Sequence, residues 1–193
     1  MNPEFITGTD EWKSLRRTKI TSTDASIILN INPYCSPFEL WQRKLQLIPE
    51  KEQTYAMSEG LRLEPIARVL LIQVIGMDLT PKVIIHPIYD HLMTSLDGIC
   101  HQNKIICEIK CSQKIYNKAK LGIIDPIYIA QCQHHMSVCE TTYCEFFAYW
   151  EDKYILITIA RDEKFIDNMR KKEKEFYDNL MSFTPPELSE RLD

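Results

Sequence analysis

Through the first half of the chain, apolar positions recur at helical spacing and are interrupted by short polar breaks. A helix is predicted over 9–19 after Thr9, and a second over 23–30, where Thr23 or Ser22 is available as N-cap before Asp24-Ala25-Ser26-Ile27-Ile28-Leu29. Asn32-Pro33-Tyr34 breaks the pattern. Ser36-Pro37-Phe38-Glu39 combines a capping box with proline at the first helical position, so 37–46 reads as a helix with Leu40, Trp41 and Leu45 inward. After a polar connection at 48–54, Leu63, Ala67, Leu70, Leu71 and Val74 form the stripe of a helix running to about residue 75. Pro65 either starts or kinks that helix, and Glu64 sits at the irregularity.

Strand patterns then take over, predicting a meander over 82–88, 92–100 and 104–112. A basic connection leads to Asp125-Pro126, the start of a helix over 126–139 whose Tyr128, Gln131 and His135 share one face. Strands follow at 143–150 and 153–160, joined at Glu151-Asp152, and a charged amphipathic helix over 162–181 leads into a Pro-Pro tail. The alternation is clearest in 105–112. Ile105, Cys107, Ile109 and Cys111 fall on one face, read as core, and Glu108, Lys110 and Ser112 on the other, read as chemistry. A turn at Gln102-Asn103 sets Asp97 directly across from Glu108, with Cβ atoms about 4.5–5.5 Å apart, and brings Ser95 onto the same face.

Facing like charges destabilise a ladder, so this pair calls for a cation, and oxygen ligands select a hard one, Mg²⁺ or Mn²⁺. Lys110 beside it would hold an attacking water or a scissile phosphate. The plain alternative is a solvated edge hairpin.

The 193 residues, 45% hydrophobic, suffice for one sizeable core, and a single domain over 1–193 is expected: N-terminal helices 9–46, a core over 57–160 and a C-terminal helix over 162–181. A net charge of −4 argues against holding nucleic acid by bulk electrostatics, although Arg16-Arg17-Lys19 and Lys114-Lys118-Lys120 are local basic clusters. No long apolar run or cleavable signal pattern is present, so a cytoplasmic protein without a membrane span is expected. Seven cysteines in apolar settings read as reduced thiols. His134 and His135 are neighbours on a helix, about 100° apart, and cannot chelate one ion together, and Trp12 and Trp41 read as core.

Seven separated motifs, in order and spacing, resemble one family. They are Trp12-Lys13-Ser14-Leu15-Arg16; Ile20-Thr21-Ser22-Thr23; Asn32-Pro33-Tyr34 with Leu40-Trp41; Gly60-x3-Glu64-Pro65-x-Ala67-Arg68; Ser95-x-Asp97-Gly98; Glu108-x-Lys110; and Tyr128-x2-Gln131-x-Gln133. Over about residues 8–160 the chain is similar to the YqaJ-type viral recombinase nucleases, relatives of phage λ exonuclease within the PD-(D/E)XK superfamily.

The resemblance implies an α/β (α+β) fold with an αββαβ-type core, a central mixed sheet flanked by helices. It implies Mg²⁺-dependent 5′→3′ degradation of one strand of linear duplex DNA, with Mn²⁺ able to substitute, leaving a 3′ overhang for a single-strand annealing protein in recombination. By the same match Asp97, Glu108 and the Ile109 carbonyl would ligate the metal, and Lys110 would orient the water. Glu64 would be a further acidic site residue; its plain alternative is a pair with Arg68. Gln131 would position Lys110 or the phosphate, and Tyr128 would line the channel. Arg16, Thr23 and Ser95 would bind a terminal 5′-phosphate or the scissile strand, with Ser112 beside them as a DNA contact. Thr23 stands where a serine is expected, with Ser22 before it, and Arg17 adjoins Arg16.

A homo-oligomeric ring trimer also belongs to the resemblance, and the residues after 160 carry no motif that speaks to it. Related CRISPR proteins hold an iron–sulfur cluster by four cysteines. Here Cys35, Cys132, Cys139 and Cys144 have poor spacing for one, two of them lying on the helix that carries Gln131. Residue chemistry alone leaves a structure-selective endonuclease or a catalytically silent DNA-end-binding module as alternatives.

Overall fold

β-Branched and aromatic runs build the five strands, and the structure, a computed structural model, describes them within residues 5–102 and 104–187. In chain order the elements are α1 (Asp10–Thr18), α2 (Ser22–Ile28), α3 (Pro37–Lys44), α4 (Tyr55–Ile75), β1 (Thr80–Ile85), β2 (Met93–Cys100), β3 (Ile105–Cys111), α5 (Gln113–Ala119), α6 (Pro126–Cys139), β4 (Tyr143–Trp150), β5 (Lys153–Ala160) and α7 (Glu163–Met181). The sheet runs β1-β2-β3-β4-β5, antiparallel throughout except for the parallel pair β3–β4. That pair needs a crossover, which α5 and α6 supply. Three strands precede it rather than two.

α4 covers one face, placing Ala67 and Leu71 against Cys107, Ile109 and Phe147. α5 and α6 cover the other, where Cys132 and Met136 meet Ile106, Phe146 and Ala148. Outside α6, the N-terminal helices and α7 close a further layer around Ile20, Trp41, Phe176 and Leu180. Among the described residues no helix is long and apolar enough to cross a membrane.

Several local expectations are corrected. α2 starts from Thr21, not Ser22 or Thr23, because the Thr21 N–H donates to the Asp24 carboxylate at 2.9 Å. Pro65 does not start α4 but lies inside it. The carbonyl that loses its helical bond to the proline belongs to Leu61, four residues back, on an exposed turn of the helix (60% exposed). The basic connection after β3 is helical, with Ser112 at the N-cap position of α5. Trp12 is half-buried rather than core. Cys35 belongs to the outer layer, apart from Cys132 and Cys144 in the sheet core. The turn expected at Gln102-Asn103 includes Asn103, which lies outside the described residues.

Candidate active site

The β2–β3 ladder has the expected register, Cys100↔Ile105, Ile99↔Ile106 and Gly98↔Cys107, and stops there. Asp97 and Glu108 are therefore not ladder partners. β2 carries one extra residue between Leu96 and Ile99, opposite Lys82 and Thr80 of β1, and such a bulge bends a strand and re-aims a side chain. Past Gly98 the two strands part, β2 staying with β1 and β3 with β4. In this fork the Asp97 carboxylate turns along β3 and accepts the Ile109 N–H at 2.7 Å.

Both faces of β3 are buried, so its division into a core side and a chemical side does not hold. A parallel pair lies beneath helices on both faces, and Glu108 is 1% exposed under α6. One Glu108 oxygen is bound by the Lys110 ammonium and the other lies 2.7 Å from His135 Nε2. His135 Nδ1 in turn meets the Thr94 hydroxyl. The Tyr128 ring, packed on Phe146, lies 5.3 Å from Lys110 Nζ. From the opposite face α4 supplies Glu64 and, one turn on, Arg68, which binds the Glu64 carboxylate and donates Nε–H to the Asp97 carbonyl.

Burial and the nearby Glu108 charge push Asp97 well above the usual carboxylate range, with Lys110 opposing. Burial alone would also raise Glu108, but Lys110 and His135 outweigh it and hold Glu108 down at about 2. Burial would lower Lys110, yet the Glu108 and Asp97 charges raise it, so it stays an ammonium ion. Glu64 is raised by burial and by Glu108, against the pull of Arg68.

Of the three carboxylates of the site, Asp97 is thus the one without an ion pair among the described residues: Arg68 takes Glu64, and Lys110 takes Glu108. Among those residues no three His, Cys, Asp or Glu side chains already form a cage for an ion. The donor set fits a small hard cation of the Mg²⁺ type, which is held by one or two carboxylates and completes its shell with water and substrate oxygens. His134 is engaged elsewhere, with Glu173 at 2.7 Å and the Met93 carbonyl at 3.0 Å.

A second cluster lies along β2. Arg16 donates to the Thr23 hydroxyl at 2.9 Å and stacks 4.6 Å from the Trp12 ring, while Trp12 Nε1 donates to Ser95 Oγ at 2.9 Å. Ser95 is therefore turned toward α1. Arg17 bonds Ser14 instead, and Ser22 is buried, so Arg16 and Thr23 are the pair brought together. Gln131 is half-buried on α6 and makes no hydrogen bond to Lys110 among the described residues, and the Ser112 hydroxyl makes no cap bond. Sequence reasoning gave Arg68 only the pair with Glu64, which the structure contains, and gave Thr94 and His135 no role. The available signals were the four-residue spacings Glu64 to Arg68 and Gln131 to His135.

The model of the YqaJ-like viral recombinase domain matches residues 11–143. The YqaJ protein of Bacillus subtilis (strain 168) is 33% identical over 180 residues, 88% of this chain and 56% of that protein, so the chain spans little more than half of that relative. The crystal structure of an alkaline exonuclease (LHK-Exo) from Laribacter hongkongensis is similar at a TM-score of 0.78 and 26% identity, over 91% of this chain and 94% of that one. A phage related exonuclease from Haemophilus somnus 129PT shares the fold, at a TM-score of 0.67 and 15% identity over 86% and 96% of the two chains. The five-stranded mixed sheet flanked by helices is of the PD-(D/E)XK type. The motifs spread from Trp12 to Gln133 fall within the matched span, and the chain belongs to the YqaJ-like viral recombinase domain family.

Proposed function

We propose that this chain is a metal-dependent DNA exonuclease that degrades one strand of linear duplex DNA from its 5′ end, leaving a 3′ overhang for a single-strand annealing protein. The observation that carries the reading is the fork between β2 and β3, where an unpaired Asp97 carboxylate lies beside Glu108 and Lys110. The likeness to the alkaline exonuclease of Laribacter hongkongensis supports it. Asp97, Glu108 and the Ile109 carbonyl would hold Mg²⁺, with Mn²⁺ substituting. When bound, such an ion polarises a phosphoryl oxygen and acidifies a water.

Lys110 stays charged, so it donates hydrogen bonds rather than accepting a proton; it orients the attacking water and offsets charge developing on the phosphate. Glu64, raised toward neutrality and steadied by Arg68, assists that water from the α4 side. Gln131, Tyr128 and Ser112 line the path of the strand. Arg16, Thr23 and Ser95, gathered around Trp12, bind the terminal 5′-phosphate, which couples recognition of an end to stepwise progress. A ring-shaped homo-oligomer would keep the enzyme on its track.

The test is digestion of a linear duplex labelled at one 5′ or one 3′ end, with Mg²⁺ or EDTA, beside a closed circle and the Asp97→Ala variant. Mg²⁺-dependent loss of one strand from its 5′ end, with circles intact and the variant silent, is expected. Nicked circles would make the protein an endonuclease, and binding without cleavage would make it an end-binding module.

A further inference from the structure

His135 is fully buried, and its two ring nitrogens meet different partners, Nε2 facing Glu108 Oε2 at 2.7 Å and Nδ1 facing the Thr94 hydroxyl. Glu108 gives its other oxygen to the Lys110 ammonium, and an ionised carboxylate only accepts hydrogen bonds. Nε2 therefore carries the proton, and Nδ1, left with its lone pair, accepts from the Thr94 O–H. Both ends of this chain of bonds are anchored. Thr94 is fully buried and paired with Ile84 of β1, and the adjacent His134 ties α6 to Glu173 and to the Met93 carbonyl. Consecutive residues of α6 thus grip consecutive residues of β2, and the second reaches across to β3. Without His135, a carboxylate that is 1% exposed would keep Lys110 at one oxygen and have an unbonded second one, free to turn about its last torsion.

We propose that His135 is a positioning residue that, braced at Nδ1 by Thr94, holds the Glu108 carboxylate in the orientation that receives a divalent cation beside Asp97. The inference rests on the metal-dependent reading above and adds two residues, neither of which touches substrate.

Its test is Mn²⁺ binding to the DNA-free protein, followed by loss of the free-ion EPR signal, in the wild type, His135→Gln, His135→Leu and Thr94→Val. A glutamine amide supplies a donor near the Nε2 position, whereas leucine supplies none. His135→Leu is expected to weaken Mn²⁺ binding roughly 10–100-fold, with His135→Gln returning to within about threefold of wild type and Thr94→Val falling between. On linear duplex, kcat should fall in the same order while KM stays put. A His135→Leu protein that melts cooperatively and binds Mn²⁺ like wild type overturns the proposal, as does His135→Gln behaving like His135→Leu. Should His135→Leu not fold, unchanged Mn²⁺ affinity in Thr94→Val overturns it equally. A wild type that binds no Mn²⁺ overturns the metal-dependent reading itself, a result distinct from all of these.

Discussion

Gly98 follows Asp97 at the last rung of the β2–β3 ladder, and the space there is already taken. A Cβ added to Gly98 would lie 2.6 Å from Cys107 Sγ and 3.1 Å from Leu79 Cβ. The first contact is about 1 Å inside van der Waals separation. Cys107 is fully buried on a strand paired on both sides, so relief requires its thiol to leave its packed position or the strands to part. Overpacking of this kind costs about 1–3 kcal/mol, and the alanine's lower chain entropy returns about 0.5–1 kcal/mol. The net loss of about 1–2 kcal/mol should lower Tm by roughly 2–8 °C in Gly98→Ala. Cys107→Ala alone should cost about 1 kcal/mol for the buried thiol. In Gly98→Ala with Cys107→Ala the closest contact is gone, so the double variant should be no less stable than Cys107→Ala. That is a favourable coupling of about 1–2 kcal/mol. Thermal and urea unfolding followed by circular dichroism would measure all four proteins. Strict additivity, or a Gly98→Ala protein as stable as wild type, would refute the steric account of this glycine.

Lys110→Ala should lower cleavage by at least about 100-fold while leaving DNA binding in Ca²⁺ intact; normal turnover would remove its proposed role. Arg16→Ala should erase the preference for 5′-phosphorylated over 5′-hydroxyl ends more than it slows the chemistry, read from initial rates on the two substrates. His134 offers a pH test. Burial would lower its pKa, but the Glu173 charge and hydrogen bond raise it overall. A raised folded value means that its stabilisation is complete below the unfolded value, about 6.5, and is lost as pH rises through the folded one. Tm should therefore fall from pH 6.5 upward in the wild type, and this component should vanish in Glu173→Gln, which should also lose about 3–5 kcal/mol at pH 6 as a broken buried pair. A pH-independent difference between the two proteins would exclude that pair as the cause.

Much of this molecule is legible in its sequence because the signals are local. The helical stripe of Ala67 and Leu71, the Thr9 and Ser36 caps, and the alternation through Ile105 to Cys111 each act within a few residues, and they place the elements to within a few positions. A short connection also sets the register of β2 against β3, so Asp97 and Glu108 are brought near each other by the chain itself. What the sequence could not decide depends on partners distant along it. The parallel pairing of β3 with β4 buries both faces of β3, and the bulge opposite β1 opens the fork that turns Asp97 to the Ile109 N–H. The same assembly converts Trp12 from an expected core residue into the link between Arg16 and Ser95, and sets His135 against Glu108. Periodicity reports which side of an element is apolar. Which buried polar group satisfies which other is settled only when elements far apart in sequence exclude water together, because it is the loss of water that obliges each donor and acceptor to find a partner.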